Sequence, residues 1–379
     1  MEKKILISGG AGFIGSNLSL ALIKKGYEIT VLDNLSPQIH GENPESTSEL
    51  YLTIKDKVNF IKGDVVNKAD WEKAIDDNEV IVHLAAETGT GQSMYQIKRY
   101  TDVNIGGTAL MLDILASSRH SVKKVVVASS RAIYGEGRYH SKEKGFVYPE
   151  SRSNERMLSG NFEVNITESD EVLQLMSTDE NSKIHPTSVY GITKQNQEQM
   201  VMTVCPSLNI SPVAFRYQNV YGPGQSLKNP YTGILSIFST QIKNGKPINI
   251  FEDGKESRDF VFIDDVVDAT IKGIENENAN GQVFNVGTGV ATTVIEVANN
   301  LINNYGVDVA VQITGNFRIG DIRHNYADIS KIKKILNFNP EVDFHNGIKR
   351  FTHWVNQQEI QQSKYEESLN EMKSKGLMK

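Results

Sequence analysis

The chain has 379 residues, enough for one large domain or two of ordinary size, and its 39% of apolar residues can fill a core. A net charge of −6 without any basic block argues against a protein that binds nucleic acid or a membrane surface. The single cysteine, Cys205, excludes an intramolecular disulfide and a multi-cysteine zinc site, and eight scattered histidines predict no metal site.

A basic start and a short apolar run make the N-terminus "MEKKILISGGAGFIG" similar to a weak export signal. Gly9 and Gly10 interrupt the run, and no small-residue cleavage pattern follows it. No stretch approaches the roughly 20 apolar residues that a membrane-spanning helix needs. We therefore expect a cytoplasmic protein with neither a nucleic acid nor a membrane as its partner.

Short apolar runs alternate with helical patterns through the first half of the chain. The runs "KILIS", "EITVLDN", "VNFIKGDV", "VIVHLAA" and "KKVVVASS" predict buried strands because they are apolar almost throughout. Segments such as "SNLSLALIKKG" and "VNIGGTALMLDILASS" have apolar residues at three- and four-residue steps, which predicts helices. This alternation predicts an α/β fold with a doubly wound parallel sheet of the Rossmann type.

Residues 138–184 interrupt the alternation with a polar stretch that indicates an insertion or a long loop. A helix pattern returns at "HPTSVYGITKQNQEQMVMTV" and a strand pattern at "SPVAFRYQNVYG". The polar tail, 356–379, predicts a solvated terminal helix. The domain assignment is a Rossmann domain at 1–221 with a return at about 258–285, and a smaller, interleaved α/β substrate-binding domain at 222–257 and 286–355.

A glycine-rich loop joins the first predicted strand to the first predicted helix. Gly9, Gly12 and Gly15 have the spacing G-x-x-G-x-x-G, with Phe13 and Ile14 between the last two glycines. Glycines let the backbone approach a pyrophosphate closely, and the start of the following helix offers it unpaired N–H groups. This pattern predicts a dinucleotide-binding loop.

Asp33 ends the second predicted strand, at the distance expected for a residue that accepts hydrogen bonds from the adenosine ribose. A carboxylate there would repel a 2′-phosphate, which favours NAD over NADP as the cofactor. Asn34 beside it, and Asp64 and Val65 after the third strand, are further candidates, with Asp64 at the adenine edge. The alternatives are an ordinary loop role for Asp33 and a simple Gly-Asp turn at Asp64.

The motif "YGITK" places Tyr190 and Lys194 four residues apart, on one face of a predicted helix. A lysine ammonium beside a phenol stabilises the phenolate and lowers the phenol pKa from about 10, so that the tyrosine can take a proton from a sugar hydroxyl. A surface pair on a helix is the alternative. The glycine loop and the alternating strands favour the catalytic interpretation.

Together with "ASSRAIYG", these motifs resemble the extended short-chain dehydrogenase/reductase family, the nucleotide-sugar epimerases and dehydratases. The similarity runs from residue 3 to about 355, without a match in detail over 138–184. It implies that Ser130, four residues before Tyr134, hydrogen-bonds the reacting hydroxyl. Ser129 is then structural.

The same resemblance implies roles for residues in several other motifs. It places these residues at the cofactor: Leu84, Ala85 and Ala86 of "HLAA", Asn104 of "DVNIGGT" beneath the site, Tyr217 and Val220 of "RYQNVYGPG", and the pair Tyr190 and Lys194. It places these at a nucleotide-sugar substrate: Gln92, Ser93, Ser130, Arg131, Asn219, Arg258, Arg318 and Asp321. The guanidinium fork of Arg258 and of Arg318 matches phosphate oxygens, with a surface salt bridge as the alternative for each.

The resemblance further implies hydride removal from C4 of the sugar as the step common to the family. Dehydratases of this fold carry Asp-Glu directly after the catalytic hydroxyl residue, whereas Arg131 and Ala132 follow Ser130 here. Water elimination then has no acid–base pair to drive it. We therefore expect a 4-epimerase that forms a transient 4-keto sugar, with Tyr190 taking the hydroxyl proton.

Stretches such as "YGPGQSLKNPYTGILSIF" and "GDIRHNYADISK" resemble the branch of the family that epimerises dTDP-L-rhamnose, which implies a 6-deoxy sugar nucleotide as substrate. Epimerases of UDP-glucose and UDP-N-acetylglucosamine are the next most similar. The alternatives are a keto-sugar reductase and a non-enzymatic NAD-binding scaffold. The family also implies a homodimer that pairs through helices at about 102–118 and 187–203.

Overall fold

The computed structural model describes residues 4–166, 171–229, 231, 233–359 and 365–379. The strands are β1 (Lys4–Ser8), β2 (Glu28–Asp33), β3 (Asn59–Lys62), β4 (Val80–His83), β5 (Lys124–Ser130), β6 (Tyr139–Ser141), β7 (Gly145–Val147), β8 (Gln174–Leu175), β9 (Ser211–Tyr217), β10 (Asn219–Tyr221), β11 (Ile248–Ile250), β12 (Ser257–Arg258), β13 (Phe260–Phe262), β14 (Gln282–Val286), β15 (Thr292–Thr293), β16 (Val311–Ile313) and β17 (His324–Asn325).

The α-helices of the described residues are α1 (Phe13–Lys24), α2 (Pro37–His40), α3 (Pro44–Thr47), α4 (Glu49–Ile54), α5 (Lys68–Ile75), α6 (Thr90–Ser93), α7 (Ile97–Tyr100), α8 (Gly107–Ser117), α9 (Asn154–Leu158), α10 (Val189–Ser207), α11 (Ile234–Lys243), α12 (Ile263–Glu275), α13 (Val294–Tyr305), α14 (Ser330–Leu336), α15 (Phe344–Asn356) and α16 (Tyr365–Ser374). A π-helical segment, Thr101–Gly106, leads into α8. No helix in this part of the chain has the length and apolar content that crossing a membrane requires.

Seven parallel strands form the central sheet in the order β14-β9-β5-β4-β1-β2-β3. The chain moves outward from β1 in one direction through β2 and β3 and then returns to build β4 and β5 on the other side. Ligands bind at such a reversal, outside the carboxyl ends of the strands. The predicted Rossmann-type sheet is confirmed, and the five predicted strands of the first half are β1 to β5.

The two faces of the sheet pack against separate helical layers. Ile5 and Ile7 of β1 belong to the apolar cluster that contains residues of α1 and α12, whereas Leu6 belongs to the cluster that contains residues of α5 and α8. Successive side chains of a strand point to opposite faces, so a strand covered on both sides must be apolar throughout. This explains why β1 is fully apolar from Ile5 to Ile7.

Beyond β10 the chain forms smaller sheets. β10 pairs with β13, β11 with β16, and β12 lies between β15 and β17. Helix α12 then packs on α1, and β14 joins the edge of the central sheet beside β9. With α12 and β14 the chain therefore returns to the central sheet and its helical layer, before it forms α13 to α15.

The segment predicted as an insertion or a long loop is folded, which corrects the loop interpretation. Strands β7, β6 and β8 form an antiparallel sheet, although residues 167–170 of the segment lie outside the described residues. Arg152 forms a salt bridge with Glu252 at 2.7 Å, and Arg323 forms one with Glu163 at 2.6 Å. Both arginines are buried, and each has at least one further acidic partner, Glu136 for Arg152 and Asp253 for Arg323.

The polar tail does not end in a solvated helix, and that prediction is wrong. Residues 360–364 lie outside the described residues, but α16 follows and buries Tyr365, Ser368 and Met372 against the protein. Met378 is also buried. Since these few residues recur at three- and four-residue steps in a polar stretch, one face of the helix can pack while the others remain exposed.

Candidate active site

A cavity of about 500 Å³ opens at the carboxyl ends of the central strands. The predicted cofactor residues on its wall are Gly9, Gly12, Phe13, Ile14, Gly15, Asp33, Asn34, Asp64, Val65, Leu84, Ala85, Ala86, Tyr190, Lys194, Tyr217 and Val220. Of the predicted substrate residues, Ser130, Arg131 and Asn219 are on the same wall. The structure thus brings the nucleotide loop and the Tyr-Lys pair to one cavity.

The glycine loop forms a cradle with no space for side chains at two of its positions. Gly9 has φ +71°, and a Cβ there would lie 2.7 Å from the amide nitrogen of Ala85. A Cβ on Gly15 would lie 2.4 Å from the carbonyl oxygen of Gly9. Gly12 occupies the N-cap of α1 and has no side chain to cap the first-turn amides, which leaves them for an anion. These features fit the pyrophosphate of a dinucleotide.

Asp33 is held by the backbone at the end of β2. Its carboxylate accepts hydrogen bonds from the amides of Ala11 at 3.0 Å and Leu35 at 2.8 Å. Burial raises the pKa of Asp33, while the nearby His40 and these amides act in the opposite direction. Asn34 donates a hydrogen bond to Asp64 at 3.0 Å, so the two strand ends are joined at the predicted adenosine position.

Replacing Asp33 with alanine is expected to weaken NAD binding by roughly tenfold to a hundredfold, because hydrogen bonds to a charged group are lost. The repulsion of a 2′-phosphate disappears with the carboxylate, so the preference for NAD over NADP should narrow. Titrations of each cofactor measure both effects. Asp56→Ala, at an exposed position, is the control; unchanged selectivity in Asp33→Ala would contradict the assigned role.

The catalytic candidates meet where β5 ends and α10 begins. Ser188 caps α10 by accepting a hydrogen bond from the amide of Gly191 at 3.1 Å, which fixes the first turn that carries Tyr190. The phenol of Tyr190 lies beside the side chain of Ser130, and both residues line the cavity. The neighbouring Ser129 hydroxyl has no hydrogen-bond partner among the described residues.

The pKa shift of Tyr190 differs from the one predicted from its spacing to Lys194. Burial raises the pKa of Tyr190, while the neighbouring Ser130 side chain and the positive charge of Arg131 oppose that shift. Lys194 donates its hydrogen bond to Oε1 of Gln197 at 2.7 Å, and burial lowers the pKa of its amine to about 7. The expectation that Lys194 lowers the phenol pKa is therefore wrong for this arrangement of side chains, because burial outweighs the nearby charges.

Sequence reasoning missed the residues that hold Lys194. Gln197 is fully buried, and its Nε2 donates to Thr108 Oγ1 at 2.8 Å and to His83 Nε2 at 3.2 Å. Burial lowers the pKa of His83 to about 3, so its ring is neutral and can accept that bond. The sequence feature that could have indicated this contact is the position of Gln197, three residues after Lys194 on the same helix face.

Three predicted residues lie behind the cavity wall rather than on it. Ser93 Oγ accepts a hydrogen bond from the amide of Tyr190 at 3.0 Å, and Gln92 accepts one from the phenol of Tyr100 at 3.1 Å. Asn104 is buried and bonds to the backbone of Glu87. These contacts support the first turn of α10 and the loop after β4.

Arg258, Arg318 and Asp321, which the resemblance places at the substrate, lie apart from the main cavity. The Arg258 guanidinium donates hydrogen bonds to the carbonyl oxygens of Ser257, Ile322 and Arg323. Arg318 and Asp321 line a second, small cavity and are 3.9 Å apart. Arg131 connects the two regions. Its Nε donates a hydrogen bond to Asn219 at 2.9 Å. Burial is the main cause that lowers the pKa of Arg131 to about 9, and the positive charge of Arg258 contributes to the same shift.

The doubly wound parallel sheet and the glycine cradle define a Rossmann fold, and Asp33, Tyr190 and Lys194 lie on the wall of its cavity. The sequence matches the model of the NAD dependent epimerase/dehydratase family over residues 5–155 and 166–287. The chain belongs to this family. The match confirms the resemblance found in the motifs and the expectation of NAD as the cofactor.

Curated relatives resemble the chain along almost all of its length. A dTDP-L-rhamnose 4-epimerase of Burkholderia thailandensis is 36% identical, over 94% of this chain and 96% of that protein. A putative UDP-glucose 4-epimerase of Methanocaldococcus jannaschii is 31% identical, over 93% of this chain and 98% of that protein.

Solved structures agree with the fold. The UDP-glucose 4-epimerase of Thermotoga maritima with UDP-glucose has a TM-score of 0.75 and 28% identity, and covers 93% of this chain and 99% of its own. The UDP-glucuronic acid 4-epimerase of Bacillus cereus, with UDP-glucuronic acid and NAD, has a TM-score of 0.75 and 26% identity at the same coverage.

Proposed function

We propose that the protein is an NAD-dependent nucleotide-sugar 4-epimerase. One observation carries this proposal: Tyr190, Lys194 and Ser130 line the same cavity as the glycine loop. Arg131 and Ala132 follow Ser130, so the positions where a dehydratase carries its acidic pair offer no carboxyl group. Epimerisation requires no such pair.

Tyr190, Ser130 and Arg131 have different roles in the proposed proton transfer. NAD, when bound, supplies the group that accepts hydride from C4 of the sugar and returns it. Tyr190 takes the proton of the 4-hydroxyl and gives it back, and Ser130 holds that oxygen by a hydrogen bond. Arg131 favours the charged phenolate because its positive charge acts on the Tyr190 phenol. The sugar passes through a 4-keto form and turns before it is reduced on the other face.

A 6-deoxy sugar nucleotide such as dTDP-L-rhamnose is the substrate we propose. The Burkholderia relative supports this choice, since the similarity extends over nearly both whole chains. UDP-glucose and UDP-N-acetylglucosamine are the competing substrates, given the similarity to UDP-glucose epimerases. Arg258, Arg318 and Asn219 would contact the diphosphate of the substrate. Asp321 would contact the ribose of its nucleotide, and Arg131 would lie at the sugar end.

Product analysis without added cofactor tests the proposal. The purified protein is incubated separately with dTDP-L-rhamnose, UDP-glucose and UDP-N-acetylglucosamine, and the products are identified by NMR. We expect the 4-epimer of dTDP-L-rhamnose to form faster than the other products, without net consumption of NAD or NADH. Stoichiometric oxidation of NADH with a keto-sugar nucleotide would instead identify a reductase, and a dehydrated product would identify a dehydratase.

We further propose that the protein is a cytoplasmic homodimer. Helix α10 exposes Ile192, and the neighbouring helix α7 exposes Ile97, each with about half of its surface accessible. Leu110 on α8 and Met200 on α10 are partly buried. Such apolar residues fit a contact between two copies of these helices, and a monomeric mass by light scattering would contradict it.

A further inference from the structure

The last residues of the chain pair with the backbone on both sides of Arg318. The amide of Phe317 donates to the carbonyl oxygen of Lys379 at 2.9 Å, and the amide of Lys379 donates back at 3.0 Å. The amide of Ile319 donates to the carbonyl oxygen of Leu377 at 3.0 Å. Because both neighbours of Arg318 are bonded to this short strand, its backbone position depends on the C-terminal segment, residues 365–379.

The side chain of Arg318 is also held by this segment. Its guanidinium lies beside the phenol of Tyr365, the first residue of α16, and each of the two groups acts on the pKa of the other. Tyr365 is only 6% exposed, so its ring has little freedom to move away. The Asp321 carboxylate, 3.9 Å from the guanidinium, provides a second anchor. An arginine held in this way loses less conformational entropy when it binds a phosphate.

A third contact joins the segment to the main cavity. The carboxylate of Glu371, on α16, accepts hydrogen bonds from Tyr231 at 2.9 Å and from Tyr95 at 3.1 Å. Tyr231 lies on the wall of the cavity that holds Tyr190 and the glycine loop. Met372 lies on the same helix and lines the second cavity together with Arg318. The segment therefore borders both regions in which substrate residues were predicted.

We propose that the C-terminal segment is part of the nucleotide-sugar site, with Tyr365 as a positioning residue that orients Arg318 toward the diphosphate. This inference rests on the proposed function, which assigns Arg318 to that diphosphate. The ligand chemistry is that of a nucleoside diphosphate, and the glycine cradle for NAD is formed by other elements. A change in the C-terminal segment should therefore weaken the binding of the nucleoside diphosphate without weakening the binding of NAD.

The test is calorimetric titration of dTDP, and of UDP as a second probe, into the full-length protein and its Tyr365→Phe variant. The variant keeps the ring and removes the hydroxyl alone. We expect the Kd for dTDP to rise about tenfold, because the guanidinium loses the polar neighbour that restricts its position. The Kd for NAD and the Tm should not change. Lys373→Gln, at an exposed position of the same helix, is the matched control and should bind dTDP normally.

A double-mutant cycle shows whether Tyr365 acts through Arg318. In an Arg318→Gln background the further change Tyr365→Phe should have less than a twofold effect on the Kd for dTDP, since residues that share one interaction are not additive. A full tenfold effect in that background would overturn the proposal. So would an unchanged Kd in the single variant, or a lower Tm with equal weakening of dTDP and NAD.

The proposed function can fail independently of this inference. An unaltered protein that binds dTDP but epimerises no sugar nucleotide would refute the proposed function alone, and the Tyr365→Phe comparison would still decide the role of the segment. An unaltered protein that binds neither dTDP nor UDP would refute both.

Discussion

Replacing Tyr190 with phenylalanine is expected to abolish sugar turnover while the protein keeps its NAD. The phenol lies beside Ser130 on the cavity wall, and a phenyl ring has no oxygen to accept the proton of the sugar hydroxyl. Loss of a general acid–base group lowers rates by roughly a hundredfold to ten-thousandfold. The ring itself remains, packed edge-on against Tyr100 at 6.5 Å between centroids, so the fold of the site should survive.

Two measurements separate chemistry from binding in this variant. The initial rate of 4-epimer formation reports turnover, and the NAD content of the denatured protein reports cofactor retention. Tyr51→Phe is the control, because this ring packs on Phe60 and does not line the cavity. Near-normal turnover in Tyr190→Phe would overturn the mechanism, and loss of NAD together with activity would point to a damaged cofactor site.

Replacing Lys194 with alanine is expected to lower turnover by roughly a hundredfold or more and to weaken NAD binding as well. The amine lies on the wall of the cofactor cavity, and its hydrogen bond to Gln197 connects it to His83 and Thr108. Without the amine, the cavity loses a donor for the cofactor, and the buried oxygen of Gln197 loses its partner.

The effect of Lys194→Ala on NAD binding distinguishes this variant from Tyr190→Phe. Both variants should lose turnover, but Lys194→Ala alone should need a higher NAD concentration for half-saturation. Gln199→Ala, at an exposed position of the same helix, should have neither effect. If Lys194→Ala bound NAD normally and kept most of its activity, the lysine would be a structural member of the buried polar network and not part of the catalytic set.

The parts of the site that could be predicted from sequence depend on residues that are close in the chain. The glycine loop needs only its own spacing and the strand and helix that flank it, and the structure explains that spacing by close approach at Gly9 and Gly15. The Tyr-Lys pair needs only a helix. Strand β1 could be recognised because burial on both faces requires an apolar run.

The errors concern contacts between distant parts of the chain. The 138–184 segment has weak periodicity because part of its attachment is ionic, with Arg152 bonded to Glu252, 100 residues further on. The tail was assigned to solvent because most of its residues are polar. The few that pack, such as Tyr365 and Met372, find their partners on distant loops.

By itself the sequence determined the doubly wound sheet and the nucleotide loop, since local spacing and burial patterns specify both. The spacing of Tyr190 and Lys194 predicted the catalytic pair, and the family resemblance added Ser130. Only the tertiary structure decided the direction of the Tyr190 pKa shift and the partner of Lys194. The reason is physical: both depend on how deeply a group is buried and on which charges and dipoles surround it. Those surroundings are supplied by elements far apart in the chain.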